Sequence, residues 1–223
     1  DLLPAARQWN QLKIPFDALY SGFLASYEQI SVVSQAMDLI RSNNTLIMVD
    51  PVFADNGRLY ETCTPEMASG MLKLCQKADI LVPNLTEASF LLGQEFYDGP
   101  YTKPYIEDLL MRISGFGPKQ VVLTGVYFNP LELGAASYDR NTGNFCYAFS
   151  PRIPGLYHGT GDLFGSVLLS GILRGLSLGE AMELAVYFTH NCIELTQEMG
   201  IDHRYGVCFE PCLPNLIRRL HLS

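Results

Sequence analysis

The sequence predicts an α/β protein built on a mainly parallel central sheet with one small antiparallel hairpin. Two short runs, residues 45–49 and 79–82, are apolar without alternation, the pattern of strands covered on both faces. Segments with helical spacing follow each of them, and repeated strand–helix units give a parallel sheet with helices packed on it. Residues 133–139 and 145–149, joined around Asn141-Thr142-Gly143, break that rhythm and read as a hairpin.

The elements follow in order. Residues 1–15 form a helical segment that Pro15 breaks, and residues 16–20 a short strand ending at the turn Ser21-Gly22. Ser26 with Gln29 makes a capping box. Ile30, Val33, Met37 and Ile40 then share one face of a helix that stops near Ser42-Asn43-Asn44. The strand 45–49 runs into Asp50-Pro51, and Thr64 caps the next helix with Pro65 at its first position. After the strand 79–82, Pro83-Asn84 open a short helix that ends at Gly93. Residues 104–114 are helical, residues 115–118 turn, and residues 120–124 are the strand before the hairpin. Three helices close the chain; Ser177 with Glu180 starts the second, which runs to about Met199. No repeat or low-complexity linker divides the sequence, so residues 1–223 are expected to form one domain.

Apolar residues make up 48% and charged residues 17% of the chain, the balance of a globular protein with a sizeable core. A formal charge of −8 argues against nucleic acid or an anionic membrane as partner. It leaves ATP open, because backbone N–H groups and a divalent cation hold phosphates without a basic patch. The six cysteines show no paired metal spacing, and reduced thiols in a cytoplasmic setting are the expectation. No run is long and apolar enough to span a bilayer.

The most informative stretch is Tyr157-His158-Gly159-Thr160-Gly161-Asp162-Leu163-Phe164-Gly165, ahead of the apolar run 166–173. A glycine-rich loop opening onto a helix presents N–H groups without intrahelical partners at the positive end of the helix dipole, a site for phosphate. The glycines fit neither the dinucleotide fingerprint nor the G-x-x-x-x-G-K-[ST] loop. Asp162 is out of place beside an anion unless it takes a proton from an alcohol that attacks phosphorus. On spacing alone, an ordinary helix N-cap is the plainer reading of Asp162.

In an open parallel sheet, ligands bind beyond the carboxyl ends of the strands. There the sequence places Ser21-Gly22-Phe23, the stretch from Asp50 to Gly57, Asn84 with Glu87, and Thr124-Gly125. Asp50, Asp55, Asn84 and Glu87 are hard oxygen ligands suited to Mg²⁺, directly or through its waters. Taken singly, Asp55-Asn56-Gly57 is a turn signal, Glu87 a first-turn acid and Thr124-Gly125 a strand end. Gathered at one rim, they point to a site. His190, among Val186, Tyr187 and Ile193 on the long helix, reads as a packed histidine.

Four motifs stand in one order: Asp50-Pro51-Val52-Phe53-Ala54-Asp55-Asn56-Gly57-Arg58-Leu59-Tyr60, Pro83-Asn84-x-x-Glu87, Val121-Val122-Leu123-Thr124-Gly125 and Gly159-Thr160-Gly161-Asp162-Leu163-Phe164. Over roughly residues 16–195 the chain resembles the pyridoxal kinases of the ribokinase-like superfamily. The resemblance implies a three-layer α/β/α fold and ATP-dependent phosphorylation of the 5′-hydroxymethyl group of a vitamin B6 vitamer. Position by position it implies Asp162 as the base and Gly159, Thr160 and Gly161 as the anion hole for the transferring phosphoryl. It makes Asn84 and Glu87 organisers of Mg²⁺ and the ATP phosphates, with Asp50 near the metal. Thr124 and Gly125 become nucleotide contacts, and Asp55 and Tyr60 belong to a segment that closes over the site. Phe23 stands where a tyrosine facing the pyridine is frequent, and Val82 where a threonine is. The resemblance further implies ATP, Mg²⁺ and a monovalent cation such as K⁺, and a homodimer. Family members begin with a strand–helix unit carrying pyridine contacts, ahead of the point at which this sequence starts. The nearest alternative is a hydroxymethylpyrimidine kinase of thiamin synthesis, a branch that typically carries cysteine at the position of Asp162. A non-catalytic member that binds nucleotide or vitamer is the third.

Overall fold

The computed structural model of the chain describes residues 1–221. From the N-terminus run α1 (Leu2–Gln11), β1 (Ala18–Ser21), α2 (Tyr27–Ile40), β2 (Leu46–Val49), and a two-strand flap of β3 (Ala54–Asp55) and β4 (Arg58–Leu59). Next come α3 (Pro65–Cys75), β5 (Ile80–Leu81), α4 (Leu85–Leu92) and α5 (Lys103–Ser114). The chain then forms β6 (Gln120–Val126), β7 (Glu132–Asp139), β8 (Asn144–Pro151), α6 (Thr160–Leu173), α7 (Leu178–Glu198) and α8 (Leu213–Arg219).

Six strands form one sheet in the order β1-β2-β5-β6-β7-β8. The first four are parallel; β7 pairs antiparallel with β6, and β8 antiparallel with β7 at the edge. The hairpin therefore extends the main sheet and does not stand apart from it. Alternation along the buried strands explains the layers. Ile47, Val49, Leu81, Val121 and Leu123 feed one core with Met67 and Met71 of α3 and Ile106 and Leu110 of α5. Met48, Ile80 and Val122 feed the other, with Phe164 and Leu168 of α6 and Ala181 and Ala185 of α7. The result is the three-layer α/β/α arrangement.

Local signals place the helix starts. Thr64 Oγ1 accepts the Met67 N–H at 3.3 Å, and Ser177 with Glu180 and Asn84 with Glu87 form complete capping boxes. At Ser26 the box is shifted. Its Oγ accepts the Gln29 N–H at 3.1 Å, but Gln29 Oε1 reaches back to the N–H of Ala25 at 2.8 Å. The first strand also starts later than expected, because Phe16 leaves the ladder and its carbonyl takes the Thr45 hydroxyl at 2.8 Å. Strand β5 is shorter than residues 79–82. Asp79 keeps backbone bonds to Ile47 and Gln120 just ahead of the strand, while its carboxylate accepts the Ile47 N–H at 2.9 Å and pairs with Arg41.

Candidate active site

The carboxyl ends of the parallel strands converge on one rim, and the chain turns sharply as it leaves β2. The Asp50 N–H continues the ladder to the Ser21 carbonyl at 2.8 Å. Two residues on, Val52 has φ +33°, a strained conformation for a β-branched residue. The N–H groups released by this turn go to acids: that of Val52 to Asp50, and that of Phe53 to Glu87 Oε1 at 3.1 Å.

Asn84 and Glu87 complete that anchorage. Glu87 Oε2 accepts the Asn84 N–H at 2.8 Å, Asn84 Oδ1 accepts the Glu87 N–H at 2.9 Å, and Asn84 Nδ2 donates to the Ala54 carbonyl at 2.8 Å. Thr86 Oγ1 accepts the Gly57 N–H at the flap tip at 3.0 Å. The Asn-x-x-Glu motif thus caps α4 and fastens the β3–β4 flap to it. Burial, then the Asp50 charge, pushes the Glu87 carboxyl up to about 8 against the pull of these backbone donors. Burial, then Asp162, pushes Asp50 up to about 7, opposed by the Val52 N–H.

The glycine loop corrects the N-cap reading of Asp162. Gly159 is the N-cap of α6 with φ +79°, and Asp162 is the third helical residue. The first intrahelical bond of the turn runs from the Leu163 N–H to the Gly159 carbonyl at 3.0 Å. The N–H groups of Thr160, Gly161 and Asp162 are therefore left to a ligand. The Asp162 side chain is exposed and accepts no hydrogen bond from the described residues. Its Oδ1 lies 3.9 Å from where a Cβ on Gly22 would stand, just past the end of β1.

A cavity of about 340 Å³ opens between these parts, within the range of small-molecule sites. Asp50, Tyr60, Asn84, Glu87, Thr124, Gly125, Thr160 and Gly161 all line it. Asn84 and Thr124 are bridged, and Gly125, at φ +75°, sits in the irregularity of β6 opposite β7. Gly159, Asp162, Phe23 and Asp55 lie off the cavity wall. Phe23 is 50% exposed beside Gly22. Asp55 spends its carboxylate on Asn56, accepting the backbone N–H at 2.8 Å and Nδ2 at 3.0 Å, which is the turn its sequence also signalled.

The far wall was not foreseen. It comes from Leu133 and Gly134 of β7, Arg152 and Ile153 after β8, and Val186, Thr189, His190 and Ile193 of α7. His190 is thus a wall residue, not a packed one. The spacing 186, 189, 190, 193 is one helical face and was the available signal. Among the described residues no three His, Cys, Asp or Glu side chains gather as a metal cage. The donor set, a raised and buried Asp50 backed by Glu87, suits a cation that keeps waters and phosphates as its other ligands, as Mg²⁺ does.

The phosphomethylpyrimidine kinase family matches residues 6–208. A pyridoxal kinase of Dictyostelium discoideum is 30% identical over 204 residues, covering 84% of this chain and 64% of the relative. This chain therefore spans less than two thirds of that relative's length. A Bacteroides thetaiotaomicron protein assigned as a phosphomethylpyrimidine kinase, in a crystal form with pyridoxal, superposes with a TM-score of 0.88 at 33% identity, covering 99% of this chain and 76% of that one. The pyridoxal kinase of Lactobacillus plantarum gives a TM-score of 0.85 at 26% identity, covering 100% of this chain and 78% of that one.

Proposed function

We propose, because the chain belongs to the phosphomethylpyrimidine kinase family, that it transfers the γ-phosphoryl group of ATP to the 5′-hydroxymethyl of a vitamin B6 vitamer. The observation that carries this reading is the first turn of α6, where an unbonded carboxylate, Asp162, adjoins three free N–H groups at the cavity edge. Asp162 accepts the alcohol proton as the new O–P bond forms and the bond to the ADP oxygen breaks. The Thr160 and Gly161 N–H groups, with Gly159 shaping the turn, hold the phosphoryl oxygens. Asn84, Thr124 and Gly125 flank the nucleotide phosphates, Tyr60 and Asp55 ride on the flap that closes over them, and Phe23 offers its ring to the pyridine.

Asp50, backed by Glu87, would hold Mg²⁺, which when bound neutralises phosphate charge. In the same reading the chain is one kinase domain that works in the cytoplasm as a homodimer and takes a monovalent cation such as K⁺. Among the described residues no helix is long and apolar enough to cross a membrane.

Hydroxymethylpyrimidine is the competing alcohol, favoured by the family's own description. Aspartate at position 162, and the pyridoxal present with the Bacteroides relative, favour the B6 vitamer. Side-by-side assays with the two alcohols separate them: the B6 alcohol is expected to give the higher kcat/KM. Asp162→Asn is expected to lower kcat by roughly 10²–10⁴-fold while calorimetry shows ATP binding retained. Normal turnover in that variant would overturn the base assignment.

A further inference from the structure

Tyr20 has no part in the reading above, yet it lies under its central residue. Alternation along β1 sends its ring to the α6 side, where it packs in the core that holds Met48 and Phe164. Its hydroxyl is buried and has no hydrogen-bond partner among the described residues. The hydroxyl rests against Gly165, at a place that a Cβ on residue 165 would occupy. Gly165 lies three residues after Asp162 and so on the same face of α6. Two residues past Tyr20, Gly22 meets the Asp162 carboxylate. The end of β1 therefore meets the first two turns of α6 at two points, Gly22 at Asp162 and the Tyr20 hydroxyl at Gly165.

A buried O–H without an acceptor is a costly arrangement that native proteins rarely leave unexplained. Of the two carboxylates whose charge Tyr20 feels, Asp50 already accepts the Val52 N–H, whereas Asp162 has no donor of its own among the described residues. Burial, then the charges of Asp50 and Asp162, pushes the Tyr20 phenol well above its ordinary value, which keeps it a donor. We propose that Tyr20 is a positioning residue for Asp162: once the alcohol is bound, its hydroxyl, seated against Gly165 and without a partner among the described residues of the free chain, donates the hydrogen bond that holds the Asp162 carboxylate toward that alcohol. This rests on the reading of Asp162 as the base. A base fixed in orientation keeps the reacting atoms in line, and a loose one loses rate without losing affinity.

The test is steady-state kinetics of the full chain with pyridoxal and ATP. Tyr20→Phe, which keeps the ring and its packing, is expected to lower kcat on the order of tenfold, the loss of one hydrogen bond to a charged group. Both KM values and the melting temperature should stay at wild type. Gly165→Ala, whose methyl displaces the hydroxyl, should lower kcat in the same way but add nothing to Tyr20→Phe. An unchanged kcat in Tyr20→Phe, a joint loss of affinity and melting temperature, or additive losses in the double variant would each overturn the proposal. Asp162→Asn assayed beside them separates the two readings. If it is nearly inactive while Tyr20→Phe turns over normally, only the role of Tyr20 falls; if it is fully active, the base falls and Tyr20 with it.

Discussion

Gly159 and Gly161 flank the same threonine and do different work. Neither has a heavy atom within 4 Å of an added Cβ, so steric crowding by the protein decides nothing at either place. Gly159 has φ +79° and lies off the cavity wall, whereas Gly161 has ordinary helical geometry and lines the cavity. Gly159→Ala is therefore expected to cost about 1–2 kcal/mol of stability, the strain of a left-handed backbone, measured by denaturant unfolding. Gly161→Ala should leave stability unchanged or raise it by up to about 1 kcal/mol, because alanine suits a helix better. If Gly161 holds the phosphoryl group as proposed, the alanine methyl would stand where those oxygens approach, and turnover should fall at least tenfold, on the order of one lost oxyanion donor or more. The reverse pattern would place the phosphate contact at Gly159. The sequence revealed this loop through residue types alone. It did not reveal that Asp162 is the third helical residue, because a glycine N-cap in the left-handed region leaves no side-chain signature to find.

The β3–β4 flap is an element of four paired residues, too short to persist alone. Its order comes from α4: Glu87 takes the Phe53 N–H, Asn84 takes the Ala54 carbonyl, and Thr86 takes the Gly57 N–H. Thr86→Val keeps the shape and removes only the last of these. The Gly57 N–H then exchanges with solvent faster, by roughly tenfold for one neutral hydrogen bond, while the rest of the chain keeps its protection. Hydrogen exchange over residues 53–60 measures this, and unchanged exchange would mean that the flap holds itself. The capping box that starts α4 was legible because it is local, as were Thr64 and Ser177. The addition of β7 and β8 to the edge of the main sheet was not. Spacing puts His190 on one helical face with Val186, Thr189 and Ile193, but that this face meets the cavity depends, like the edge the hairpin joins, on where the chain returns in space.

At the scale of the molecule, three acids of an acidic chain meet at one rim. The chain carries a formal charge of −8, and Asp50, Glu87 and Asp162 stand close enough to perturb one another in sequence, Glu87 through Asp50 and Asp50 through Asp162. Asp50 rises from 3.8 to about 7 and Glu87 from 4.5 to about 8, with burial the larger cause for both. A carboxyl raised in this way holds a proton in the folded state that the unfolded chain has already released. Stability is then greatest below the unfolded values and is lost as pH climbs through the folded ones. The metal-free protein is therefore expected to melt at progressively lower temperature between about pH 5 and pH 8, on the pKa directions above. Self-repulsion of the whole acidic chain contributes a slope of the same sign. The rim is isolated by Asp50→Asn, which removes one raised group and the charge that raises Glu87, and should flatten the profile. A divalent cation replaces the missing protons, so Mg²⁺ should raise the melting temperature more at pH 8 than at pH 6 in the wild type, and much less in the variant. Calorimetry at both pH values, with and without Mg²⁺, decides it: parallel profiles for wild type and Asp50→Asn would mean that the rim acids are not the cation's anchor.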